Sequence, residues 1–146
     1  MAKFNVNSNA YIIVYSVVMV VIVAVLLAVT SLSLQERQGE NILNEKKQQI
    51  VTALGEDPAT AAYGDVVAEA VMLDKNGNKI EGKNDADIFN ALGDLTASFE
   101  AGEFPLFKAA NGSVVIPVYG AGLWGPVWGY IALEPDMNTV KGIVMD

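Results

Sequence analysis

In this 146-residue chain, 19 of the 20 residues from Ala10 to Val29 are apolar and none is charged. As a helix, such a run at ~1.5 Å per residue reaches ~30 Å, the thickness of a bilayer's hydrocarbon layer. No second run of this kind occurs, so a many-spanned channel or transporter is excluded. A cleaved signal peptide is the competing reading, but its apolar region is shorter and ends at a small-residue site. The stretch Ala28-Val-Thr-Ser-Leu-Ser33 matches such a site only weakly. The run therefore reads as a retained transmembrane helix over residues 10–34, after a polar tail at 1–9. Tyr11 and Tyr15 near one end suit a membrane interface.

Two missing residue types remove much chemistry. Without His there is no Ser-His-Asp triad, and without Cys no thiolate nucleophile, disulfide or zinc-thiolate site. No catalytic residue and no metal ligand is assigned. The formal charge is −8, and after Gln35 there are 17 acids against 8 bases. A surface that acidic repels phosphate backbones, so nucleic acid is not an expected partner, whereas the apolar run makes membrane lipid one. Counting bases, Lys3 stands on one flank and Arg37, Lys46 and Lys47 on the other. By the positive-inside rule this favours a cytoplasmic C-terminal part.

Beyond the run, residues 35–54 read as a stalk helix with an apolar stripe of Ile42, Leu43, Ile50, Val51 and Leu54. Gly55 and Asp57-Pro58 end it. Strands are expected at 66–73 and 79–82, joined as a hairpin through Asn76-Gly77. Asp74, Asn76 and Asn78 also alternate as in a calcium loop. That loop needs Gly and Glu where Lys79 and Asp85 stand, so a plain turn is preferred. A helix over 85–100 follows, capped by Asn84 or Asp85, with 103–107 as a connector. Strands are predicted at 113–119, 127–133 and 139–145, the first at a sheet edge because of Pro117. The pattern is α+β: one transmembrane helix, then a domain of mainly antiparallel strands.

Gly120-Ala-Gly-Leu-Trp-Gly125 matches G-x-G-x-x-G literally. A dinucleotide fingerprint needs a helix next, with its N-terminus at the pyrophosphate. Here Pro126 and an aromatic, β-branched stretch follow, so that reading fails. The glycines allow tight turning and close backbone approach. Trp124 and Trp128 beside them are either core or the wall of a pocket for a planar ligand.

The run Pro117-Val-Tyr-Gly-Ala-Gly-Leu-Trp-Gly-Pro-Val-Trp-Gly-Tyr-Ile-Ala-Leu-Glu-Pro-Asp-Met-Asn-Thr-Val-Lys-Gly-Ile143 resembles the C subunit of the bacterial sodium-translocating NADH:quinone reductase. The N-terminal part is similar too, with one span followed by Leu34-Gln-Glu-Arg-Gln and Lys46-Lys-Gln-Gln-Ile. The resemblance implies a single-pass subunit of a multisubunit enzyme in the bacterial inner membrane, its soluble part periplasmic, against the count of bases. It implies a flavin domain over 55–146, there only as its N-terminal part, that relays electrons between NADH and quinone in a sodium-exporting complex. The implied cofactor is FMN, bonded through its phosphate to a threonine of a Ser-Gly-Ala-Thr-type motif. That threonine is expected beyond Asp146, since Asp57-Pro-Ala-Thr60 is the nearest string and fits neither motif nor position. Gly122, Leu123, Trp124 and Gly125 are the expected flavin contacts, and the other subunits of the complex the expected partners. Two alternatives stand beside this: an Rnf-type flavin subunit, and an anchored sensor or assembly domain without redox chemistry.

Overall fold

The computed structural model describes residues 8–146; residues 1–7, with most of the expected tail and Lys3, lie outside the described residues. The chain divides into two compact units, Met1–Ile42 and Leu43–Asp146. Helix α1, Asn9–Ala53, begins in the first and ends in the second.

Within the first unit, the Ser8 side chain accepts a hydrogen bond from the Tyr11 backbone N–H at 3.2 Å, satisfying one of the free donors at a helix start. The rings of Tyr11 and Tyr15 stack one turn apart, with centroids 6.4 Å from each other. The Thr30 hydroxyl donates back to the Leu26 carbonyl at 2.8 Å, so even this polar side chain is satisfied inside the helix. The helix is long and apolar enough to cross a membrane.

The second unit is a five-stranded antiparallel sheet in the order β1-β2-β3-β4-β5. Its strands are β1 Val67–Leu73, β2 Phe104–Ala109, β3 Val114–Ala121, β4 Pro126–Leu133 and β5 Val140–Met145. Between α1 and β1 lies the single turn α2, Tyr63–Val66; between β1 and β2 lie α3, Asp85–Ala91, and α4, Leu95–Ala101. The last turn of α1 supplies Ile50 and Ala53, and Leu54 follows it, all fully buried with Phe107, Val115, Tyr130 and Ala132 of the sheet. Burial of each large side chain of this set is worth about 1.5–3 kcal/mol. The rings of Tyr63, Phe89 and Phe107 close this core, with centroids 5.6 Å apart for Tyr63–Phe89 and for Phe89–Phe107.

The α+β plan and its antiparallel strands agree with expectation; four local features do not. First, residues 79–82 form no strand. Asn76-Gly77 does turn the chain, with Gly77 N–H donating to the Asp74 carbonyl at 3.0 Å, but only Leu73 and Lys79 then bridge. β1 takes β2 as its partner instead. Second, the expected connector 103–107 is therefore most of β2. Third, the expected helix 85–100 breaks at Gly93, and Asp94 caps α4 by accepting from the Ala97 N–H at 3.0 Å.

Fourth, Pro117 lies in the central strand, not at an edge. Ala109 N–H donates to the Ser113 carbonyl, so odd-numbered residues of β2 and β3 turn their backbone groups toward each other. The pairing runs only through Phe107↔Val115 and Lys108↔Val114. The next bonded pair in that register would join Pro105 to Pro117. Neither has an N–H to give, so the ladder stops there and a proline is accommodated in mid-sheet.

Candidate functional site

The G-x-G-x-x-G segment forms the tip of the β3–β4 hairpin, with Ala121 paired to Pro126 and Gly122 N–H donating to the Gly125 carbonyl at 2.8 Å. A strand follows it, not a helix. Gly122 is there for clearance, not for a left-handed backbone. A Cβ would stand inside contact distance of Val127 Cγ2 and 2.8 Å from the Gly125 oxygen. The turn therefore closes only with glycine at that position.

This closure pushes the next two side chains outward. Leu123 is 91% exposed and Trp124 97% exposed. The two tryptophans thus part company. Trp128 packs against the core, while Trp124 stands in solvent with Leu123, outside the core. Gly122, Leu123, Trp124 and Gly125 are brought together as one neutral, apolar knob. The whole of β3, the tip and β4 carries no charged side chain.

A second feature escapes sequence reasoning. An open groove of about 250 Å³ runs between the end of α1 (Asn44, Lys47, Gln48, Val51) and the segment Pro58–Tyr63. The Asp57 carbonyl accepts from Thr60 N–H and Ala61 N–H, which folds that segment back along the helix. Lys47 Nζ lies 5.6 Å from the ring centroids of both Tyr63 and Phe89, within cation–π range. The Tyr63 hydroxyl is buried without a hydrogen-bond partner. Burial first, and the negative charge of Asp85 second, hold its pKa well above the ordinary tyrosine value. Tyr130 is shifted the same way by burial, then by Glu45 and Tyr63, and burial pushes the Lys46 ammonium down. No local motif announces this cluster, because a turn, not a periodicity, brings Lys47 to Tyr63.

The calcium-like turn is occupied by its own backbone. Asp74 Oδ1 accepts from the N–H groups of Asn76 and Asn78, each at 2.8 Å, and these bonds draw its pKa below the usual carboxylate range. Among the described residues no group of three or more acidic side chains is placed to hold a metal ion.

No protein-family model matches the chain. A 30-residue stretch is 60% identical to the C subunit of the Na(+)-translocating NADH-quinone reductase of Chlamydia trachomatis serovar D, covering 20% of this chain and 10% of that one. The C subunit of Vibrio anguillarum is 24% identical over 141 residues, which covers 82% of this chain and 55% of the relative. The crystal structure of the C subunit from Parabacteroides distasonis superposes with a TM-score of 0.66 at 31% identity, over 77% of this chain and 57% of that one. The chain is similar to the C subunits of the Na(+)-translocating NADH-quinone reductases. It spans little more than half the length of those relatives that match it along most of its own length.

Proposed function

We propose that the chain serves as an anchored electron-transfer subunit of a sodium-translocating NADH:quinone reductase, with FMN held on the unit formed by Leu43–Asp146. The likeness to the Parabacteroides distasonis protein, in fold and at 31% identity, carries this reading. Flavin ring systems are planar and largely apolar, and the Leu123–Trp124 knob offers a neutral indole face of that kind, with glycine backbone on either side. Gly122, Leu123, Trp124 and Gly125 would hold the ring and exclude water from one side of it. Nothing at the tip suits the phosphate: no Lys or Arg lies within β3–β4, and no helix starts there. The proposal therefore gives these residues the ring and assigns no residue of the chain to the phosphate bond. When bound, the flavin supplies the redox chemistry and the protein supplies position, burial and electrostatics.

The apolar run anchors the subunit in the inner membrane. It has no Asp, Glu, Lys, Arg or His between Ala10 and Val29, whereas ion pathways through membranes are usually lined by some charged side chains. The run would therefore pack against lipid and neighbouring subunits, not conduct sodium. The second unit would face the periplasm. Because the chain has no cysteine, Asn111→Cys gives one exposed thiol. Labelling of spheroplasts by an impermeant reagent places it outside; labelling only after lysis reverses the side.

The same exposures favour a second reading, in which the knob is a protein contact to another subunit and holds no flavin. The two separate on one comparison. Trp124→Ala should leave the thermal midpoint unchanged, since a side chain 97% exposed supports no core packing. Under the flavin reading it weakens or shifts the bound-flavin absorbance of the protein isolated from its own membranes. An unchanged flavin spectrum together with loss of the subunit from the complex favours the contact reading. Residues 1–146 alone should give a band without flavin fluorescence in a denaturing gel, since none of them is assigned to the phosphate bond, and a covalent flavin adduct on them, mapped for example to Thr60 or Thr96, overturns this assignment.

A further inference from the structure

The end of α1 carries a stripe of donors that the fold does not use. Asn44, Lys47, Gln48 and Val51 recur at the three- and four-residue spacing that aligns side chains on one helix face. All four border the groove of about 250 Å³ beside Pro58–Tyr63. Among the described residues, the side chains of Asn44, Lys47 and Gln48 make neither a hydrogen bond nor an ion pair to protein. The ion pairs there belong to Lys79, Lys83 and Lys108. Asp85, whose charge reaches the Tyr63 hydroxyl, does not pair with Lys47 either. Lys47 is thus an unmatched cation in a chain of net charge −8.

This lysine is held in place. Its Nζ stands 5.6 Å from the ring centroids of both Tyr63 and Phe89, so two aromatic rings packed into the core fix where the charge lies. The other wall is apolar and preformed. Pro58, Ala61 and Ala62 present only small hydrocarbon groups to the groove. The Asp57 carbonyl accepts from Thr60 N–H and Ala61 N–H, and its carboxylate accepts from Ala59 N–H at 2.9 Å, which closes the segment on itself.

An ammonium and two amides on one wall, with hydrocarbon on the other, complement an amphiphilic anion. One ammonium matches one negative charge, as on a carboxylate. The volume is about eight waters at ~30 Å³ each, room for one small ring or a short chain. We propose that this groove is a binding site for a small monocarboxylate with an apolar body. The carboxylate lies on Lys47, Asn44 and Gln48, and the body lies against Pro58, Ala61 and Ala62. The site shares no residue with the Leu123–Trp124 knob and does not depend on flavin.

The probe is benzoate, titrated into the chain in lipid nanodiscs with its alanine amides labelled by nitrogen-15. The signals of Ala61 and Ala62 report the groove itself and not partition of the probe into lipid. Both should shift and saturate. Benzamide keeps the ring and loses the charge; acetate keeps the charge and loses the ring. Each should bind at least about tenfold more weakly, the first for want of charge-assisted hydrogen bonds and the second for want of buried apolar surface. Lys47→Met leaves an apolar stem over the rings and removes the ammonium, so it should weaken benzoate by a similar factor with the thermal midpoint near the parent's. The benzamide comparison is made on the parent and stands even where that variant fails to fold. No saturable shift with benzoate overturns the proposal. So does benzamide binding as tightly as benzoate, which would make the groove a plain apolar cleft. Acetate or inorganic phosphate binding as tightly would make it a site for any anion, and undiminished binding by a folded Lys47→Met would place the carboxylate elsewhere; either result overturns it too.

Discussion

Gly142→Ala tests how tightly the end of α1 is seated on the sheet. The added Cβ would fall inside contact distance of the Ala53 carbonyl oxygen, with Ala53 C at 3.3 Å and Ala53 Cα at 3.8 Å. All three are backbone atoms of a residue that is itself fully buried, so no side chain can swing aside. In open space Gly→Ala stabilises by about 0.4–1 kcal/mol through the unfolded chain. Here the steric term opposes it, and overpacking of a filled interior costs about 1–3 kcal/mol. The net expectation is a loss of up to about 2.5 kcal/mol by combining these two ranges. At ~4–8 °C per kcal/mol for a domain near this size, the midpoint falls by up to ~20 °C. Gly64→Ala is the control, because nothing lies within 4 Å of its Cβ position and its φ is not positive. Thermal unfolding of the parent and both variants, followed by circular dichroism, reads the difference. A Gly142→Ala variant as stable as Gly64→Ala would show that helix and sheet separate freely, and the argument for a close backbone contact would fail.

Three further outcomes follow from the same structure. Asp94→Ala removes the cap on α4 and should cost about 0.5–2 kcal/mol in denaturant unfolding, whereas Asp94→Asn should retain most of it. The hydrogen bonds to Asp74 hold its pKa down, so their contribution is complete above the ordinary carboxylate range and is lost as pH falls through the lowered value. The stability gap between parent and Asp74→Ala should therefore close on acidification, and a gap that widens would contradict the sign. Tyr63→Phe deletes a buried hydroxyl that has no partner, a group whose desolvation costs about 1–3 kcal/mol, so the variant should be at least as stable as the parent. Since burial raises that tyrosine's pKa, the parent should also lose stability relative to Tyr63→Phe as pH rises past 10.0, and a parent that stays ahead in alkali would show a hidden partner.

What the sequence disclosed and what it withheld have physical reasons. The membrane-competent run needs only local composition, and β3, β4 and β5 need only local alternation, so all four are legible. The turn at Asn76-Gly77 is legible because those two residue types tolerate its backbone, but what a strand pairs with after a turn is a tertiary matter. β1 could pair with the few residues behind its turn or with Phe104–Ala109, and the second choice buries Phe107. The break at Gly93 was also local, yet the apolar stripe through it outweighed the glycine, because Leu92 and Leu95 are both core residues on either side of the kink. At the hairpin tip the segment and its strand context were readable, but the fates of two identical indoles were not. Trp124 falls on the Gly122–Gly125 turn and leaves the protein, while Trp128 falls on β4 in alternation with the buried Tyr130 and Ala132 and faces the core.

The prolines act together at one place in the sheet. Proline in a strand argues for an edge, and that rule put β3 at the rim of the sheet. The rule concerns the missing N–H, however, not the strand's rank in the sheet. Pro105 and Pro117 face the same gap between β2 and β3, where each lacks a donor and neither needs one from the other. Pairing between β2 and β3 therefore ends at Val115, while β3 continues with β4 as far as Ala121↔Pro126. From Pro117 onward, β3 has a partner on one side alone. The outer half of the β3–β4 hairpin is thus released from β2, and its Gly122 turn carries Leu123 and Trp124 out into solvent. Two prolines that look like faults in a central strand mark where β3 parts from β2 and continues with β4 alone.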